Sequence, residues 1–346
     1  MQTENFMNRG APRLVGFLTI LLLIAFGRSA ESKTQDTPRP RLASVQDLLS
    51  LPEDKIDIGF YALALAKEIY PDVDVPAYSA KIDDIADRVR QLAGGSQDPD
   101  WRVRSLNSVI FLNEKYHGSR DAVFTRDSEY FYLNRLLDTK QGNCFTMPLL
   151  YVAVAQRLGW PVYPVSLPDH FFVRYADPAF HEQNIEATSG GAYVPDERYA
   201  KDFRVSEIGR RKGTYLRTMT HRELLGDLVA NNAVRYGHQD QMPKAIAYLK
   251  AATELNPRDA GAWANSGSAY RAMAKRSSGR DAEKFLDAAA KCDTKLKELG
   301  FVAPWDVPLT PSMAGPTASE KGSAEGAAAL SSKSIRPETL NPRPTP

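Results

Sequence analysis

Cys144, His170 and Glu186 supply a thiol, an imidazole and a carboxylate in that order, spaced 26 and then 16 residues apart. A thiol becomes a strong nucleophile when a nearby base takes its proton, and the base works best when a third group fixes its tautomer. One short stretch of chain carries all three. Asn184, two residues before Glu186 and on the same face of an extended segment, competes for the third role, because an amide also orients an imidazole. The oxyanion of a tetrahedral intermediate needs donors. The Cys144 backbone N–H is the natural first, and the Gln141 side chain or a hydroxyl such as that of Tyr132 is a candidate second.

The surrounding pattern says what must position these groups. Asn143 is a helix-cap residue, and the apolar run that follows Cys144 reads as a helix to Leu158. A thiolate at a helix start is stabilised by backbone N–H groups and by the helix dipole. Pro148 lacks an N–H, so a start nearer Met147, with Cys144 on the preceding loop, is the second reading. Val162-Tyr163-Pro164-Val165 and Phe171-Phe172-Val173-Arg174-Tyr175 are rich in β-branched and aromatic residues and read as strands, the second opening at His170. Each residue alone has a bland interpretation: a cysteine ahead of an apolar helix is usually a small buried hydrophobe, and one of five histidines usually makes a single backbone hydrogen bond. The three together, at this spacing, favour chemistry. His181 sits among Ala179, Phe180 and Gln183 in a connecting loop. Cys292 falls in a helical region and reads as a buried structural cysteine, not as a disulfide partner of Cys144. One cysteine and scattered histidines give no metal-ligand spacing, so neither metal nor cofactor is expected.

The motifs resemble those of the transglutaminase-like superfamily of cysteine hydrolases. Gly142-Asn143-Cys144, Arg157-Leu158-Gly159-Trp160-Pro161, His170-Phe171-Phe172-Val173 and Glu186-Ala187-Thr188 match its motifs in order. Glu186 replaces the aspartate of most members, keeping the charge on a side chain one methylene longer. The resemblance implies an α+β fold with a papain/transglutaminase-like core: a helix carrying the cysteine, packed on a small antiparallel sheet. It also implies a Cys144–His170–Glu186 triad. The stretch Ala66 to Val75 looks like the helical lead-in of a bacterial subgroup of that family.

Along the whole chain, Arg9 and Arg13 precede an apolar run from Leu14 to Phe26, then Gly27, Ser29 and Ala30. Residues 1–30 therefore read as an export signal, with an uncleaved N-terminal anchor as the alternative; that run is short for a membrane span, which needs about 20 residues. The expected location is periplasmic or secreted. Residues 31–44 read as a linker and 45–222 as the catalytic domain with its helical N-terminal part. Residues 196–222 carry no pattern that assigns them. Residues 223–302 resemble tetratricopeptide repeats: Val229, Ala233, Tyr236, Ala245, Leu249, Ala252 and Pro257 are followed one period later by Trp263, Gly267 and Tyr270. These would form α-helical hairpins, with Tyr236 and Trp263 expected between helices. Residues 303–346 are rich in Pro, Ser, Ala and Gly and read as a disordered tail. Net charge is +2, and residues 1–30, with three Arg and one Glu, account for it. No basic excess remains to grip a phosphate backbone, so nucleic acid is not an expected partner.

The function these readings give is a thiol enzyme acting on amide bonds of peptides or proteins in the cell envelope. Hydrolysis is favoured over amine transfer, because transfer needs a second binding site and exclusion of water. The alternative is a module of the same fold without catalysis, binding or scaffolding a protein partner through its helical repeats.

Overall fold

In the N-terminal half, helices form where the sequence supplies both a cap and an apolar face. The computed structural model describes residues 44–119, 128–181 and 183–301; the leader over 1–30, nearly all of the linker and the tail over 303–346 lie outside them. Helix α1 (Ile58–Ile69) starts at Asp57, whose carboxylate accepts from the Phe60 N–H. Helix α2 (Val75–Ala93) starts at Asp74 with Pro76 in its first turn and stops at Gly94, in the left-handed region. Helix α3 (Pro99–Asn107) starts at Asp98 and passes into a π-helical stretch over Ser108–Asn113. Each carboxylate cap is worth about 1 kcal/mol.

The two-residue strands β1 (His117–Gly118) and β2 (Gln141–Gly142) pair in parallel, with the short helix α4 (Leu133–Thr139) leading into β2. Their glycines are dictated by packing. A Cβ on Gly118 would lie 2.7 Å from the Thr188 carbonyl oxygen, and one on Gly142 would lie 2.8 Å from Met147 Cγ. The backbone at 118 therefore runs between the loop that carries Cys144 and the turn that follows Glu186.

Helix α5 (Thr146–Leu158) is buried from Thr146 through Ala155 and packs on α1, α2 and the sheet. Pro148 falls in its first turn, where a missing N–H breaks no internal bond. At its other end Gly159 takes φ 68° and closes the helix, while Arg157 bonds Asp83 of α2 and Asp57 at the head of α1. The Arg-Leu-Gly motif thus ties three helices together.

Strands β3 (Val162–Leu167), β4 (His170–Tyr175) and β5 (Asn184–Ile185) form an antiparallel sheet in that order. Leu167 pairs with His170, so Pro168 and Asp169 form the hairpin turn, with Asp169 at φ 56°. Beyond β5, residues with no sequence-level assignment form two short helices, α6 (Asp196–Asp202) and α7 (Glu207–Lys212). Val165, Leu167, Phe172, Tyr199 and Leu216 make a small core on this face of the sheet.

The C-terminal part is helical: α8 (His221–His238), α9 (Met242–Leu255), α10 (Ala260–Arg276) and α11 (Gly279–Glu298). Helices α8 and α9 pack together, as do α10 and α11. Helices α8, α9 and α10 share the principal core with α1 and α5. Asn232, fully buried, donates to the Leu65 carbonyl, and Tyr236 donates to Glu68 at 3.0 Å. Both cysteines are free, and Cys292 is buried in α11. Among the described residues no helix is long and apolar enough to cross a membrane. Tyr236 is buried, but Trp263 is only half-buried, with its indole N–H on the Pro257 carbonyl. Full burial of a tryptophan would make truncation cost about 3–5 kcal/mol. Trp263→Ala is therefore expected to cost about half of that, read as the change in a denaturant midpoint.

Candidate active site

The cysteine loop is built by Asn143. Its Oδ1 accepts from the N–H groups of Phe145 and Thr146, both at 2.9 Å, and the Asn143 carbonyl accepts from Met147 N at 3.1 Å. Asn143 thus does the capping and places Cys144 on the turn just ahead of helix α5, half-buried, which is the second of the two sequence readings. The Cys144 N–H has no acceptor among the described residues, which leaves it open to an incoming oxyanion. The thiol lies 3.8 Å from the Asp169 carbonyl in the hairpin turn.

His170 opens β4 and is 6% exposed. Its Nε2 faces Glu186 Oε2 at 2.7 Å, and the Cys144 thiol is within electrostatic reach of the ring. Burial pulls the imidazole pKa down, but the neighbouring Cys144 and Glu186 outweigh it and raise it to about 10. Phe203 stacks on the ring, 4.4 Å between centroids and 14° between planes.

Glu186 is 7% exposed and has both oxygens filled. Oε1 accepts from the Thr188 N–H at 3.0 Å and from its hydroxyl at 2.5 Å; Oε2 accepts from His170 and from the Tyr199 hydroxyl at 2.8 Å. Burial pushes this carboxyl up, yet His170 and Thr188 hold it below the ordinary carboxylate range. The extra methylene of glutamate reaches all four donors.

Cys144, His170 and Glu186 come together; the other candidates do not join them. Asn184 is engaged elsewhere: its Oδ1 accepts from Arg174 Nε at 2.8 Å, and its Nδ2 donates to the Val194 carbonyl and to Asp196. Strand β5 ends after Ile185, and Asn184 turns into a polar cluster behind the sheet. Gln141 lies on β2 paired with His117, three residues ahead of the thiol. Tyr132 precedes α4 and meets Tyr70 edge-on at 5.2 Å, in the electrostatic neighbourhood of Glu68, Arg235 and Tyr236 rather than of the thiol. His181 sits exposed on the loop after β4. Sequence reasoning missed Tyr199 and Phe203. Their signal was an aromatic pair four apart in a segment otherwise rich in charge.

Residues 76–229 match the family model of the transglutaminase-like superfamily. The chain is also similar to a UPF0162 protein of Xylella fastidiosa strain Temecula1, 24% identical over 237 residues that cover 67% of this chain and 83% of that protein. A UPF0162 protein of strain 9a5c is again 24% identical, over 68% of this chain and 84% of its own length. A shorter stretch, 75 residues or 22% of this chain, is 31% identical to human F-box only protein 21, covering 12% of that protein.

Proposed function

We propose that the protein is a thiol acyl-transfer enzyme that hydrolyses amide bonds of peptides or proteins through Cys144, His170 and Glu186. The observation that supports this most is the buried imidazole held at 2.7 Å by a filled carboxylate, with the Cys144 thiol 3.8 Å from the carbonyl of Asp169, the residue before the imidazole. The Cys144 sulfur attacks the amide carbon, and the Cys144 N–H donates to the developing oxyanion. The C–N bond then breaks as the His170 imidazolium gives its proton to the leaving amine. An acyl-thioester remains. Water, deprotonated by the now neutral imidazole, releases the acid and restores the thiol. Glu186 stays ionised throughout and holds the imidazolium. Cell-envelope substrates are our assignment from the export leader read over 1–30. Helices α8–α11 we read as tetratricopeptide-like repeats offering a surface to the protein substrate or a partner; the close crossing at Gly226, where a Cβ would lie 2.9 Å from Asn256 Cβ, fits small-residue packing of that kind.

Alkylation by iodoacetamide, mapped by peptide mass, tests the core of the reading without knowledge of the substrate. A thiol whose proton is taken by a neighbouring imidazole reacts faster than a free one, so Cys144 should be labelled about tenfold faster at neutral pH than a model thiol. Cys292, whose pKa burial raises, is the internal control. A Cys144 rate no greater than the model thiol's would favour the non-catalytic binding module instead.

A further inference from the structure

Helix α6 and the residue that caps it, Phe203, carry three side chains aimed at the back of the candidate triad. Asp196, Tyr199 and Phe203 stand at i, i+3 and i+7, one face of a helix. Asp196 Oδ1 accepts from Arg174 Nη2 and from Asn184 Nδ2, both at 2.7 Å, which anchors the helix to β4 and β5. Tyr199 stacks on Phe172 with 4.1 Å between centroids and 9° between planes, and its hydroxyl reaches Glu186. Phe203 stacks on His170. The spacings match. His170 and Phe172 are two residues apart on a strand, roughly 6.6 Å. Tyr199 and Phe203 are four apart along a helix, roughly 6 Å. Two parallel ring stacks therefore form between one strand face and one helix face, and they put a phenol on the carboxylate.

We infer that Tyr199 is a positioning residue of the triad: its hydroxyl, held by the Phe172 stack and the Asp196 anchor, fixes the Glu186 carboxylate that orients His170. This rests on the reading of Cys144, His170 and Glu186 as a catalytic triad. The groups that face Glu186 are His170 from β4, Tyr199 from α6 and Thr188 from its own turn; Asp196 and Arg174 act on Tyr199 from behind. Burial and the Glu186 charge keep the phenol protonated well above its ordinary range, so it donates across the working pH span. Without it the carboxylate loses one charge-assisted donor and takes up a proton more readily.

The test is the pH profile of Cys144 alkylation by iodoacetamide on the full chain. Tyr199→Phe keeps the ring stack and removes only the hydroxyl. Its acid limb should move upward by about one pH unit, since one charge-assisted hydrogen bond is worth that much in a carboxylate pKa. In a Glu186→Gln background the same change should move nothing, because no carboxylate is left to protonate. Replacing Tyr199 by a fluorinated tyrosine, a more acidic donor of nearly the same shape, should move the limb downward and gives a readout even if Tyr199→Phe folds poorly. A Tyr199→Phe profile that superimposes on wild type, or an equal shift with and without Glu186, would overturn the inference while leaving the triad standing. A wild-type thiol no more reactive than a model thiol would overturn the triad reading itself.

Discussion

Cys144→Ala is expected to abolish turnover and iodoacetamide labelling at this position while leaving the melting temperature within a few degrees of wild type. The chemistry has no other described thiol in reach, because Cys292 is buried in α11. Removing the nucleophile of a triad that acts as a unit costs on the order of 10⁶ in rate. The stability cost is small for a separate reason. Cys144 is half-buried at a helix start, and the loop is held by Asn143, whose caps survive the substitution. A loss below roughly 1 kcal/mol corresponds to about 2–4 °C in a domain of this size. Calorimetry beside a turnover or acyl-adduct assay separates the two quantities. Broad unfolding of the variant would show that Cys144 is a packing residue, and the nucleophile assignment would go with it.

What could be read from the sequence divides along physical lines. Elements written in local code were legible: Asn143 as a cap, the apolar run to Leu158 as a helix, the Val/Tyr/Phe runs of β3 and β4. So was the encounter of Cys144, His170 and Glu186, because one helix, one hairpin and one short strand separate them. The choice between Glu186 and Asn184 was not legible. A two-residue strand sends neighbouring side chains to different places once it ends, and only the Arg174–Asp196 cluster shows where Asn184 goes. Tyr132 was misplaced for a similar reason: its partners Tyr70, Glu68 and Arg235 are remote in sequence. Helix α6 was invisible. With seven residues it gives too short a window for an apolar period, and its useful face is aromatic and acidic. Trp263 shows the limit of repeat matching, which assigns a position in a motif but not the depth of burial there.

The second large effect is expected at Glu186. Glu186→Gln keeps the side-chain length and removes the charge that faces the imidazolium. In a serine triad the corresponding acid-to-amide change lowers the rate about 10⁴-fold. A thiolate–imidazolium pair that exists before attack leans less on its third member, so a loss of about 10²-fold is expected here, close to 2.7 kcal/mol of transition-state stabilisation. The pH dependence fixes the direction. The folded-state pKa of His170 lies near 10, above the ordinary 6.5. Its contribution to stability is therefore fully present below about pH 6.5 and is lost as pH rises through 10. Part of that elevation comes from the hydrogen bond and charge of Glu186, so the glutamine variant should lose its imidazolium at lower pH. The alkaline limb of its turnover profile should move down toward neutrality, and the acid limb of Cys144 alkylation should move up, because the thiolate then has a weaker counter-ion. Asn184→Ala should leave both limbs in place, since its amide bonds Arg174 and Asp196 and not the ring, and should show instead a lower melting temperature from the loosened α6 anchor. The reverse ranking, with Glu186→Gln near wild type and Asn184→Ala shifted in both limbs, would transfer the orienting role to Asn184.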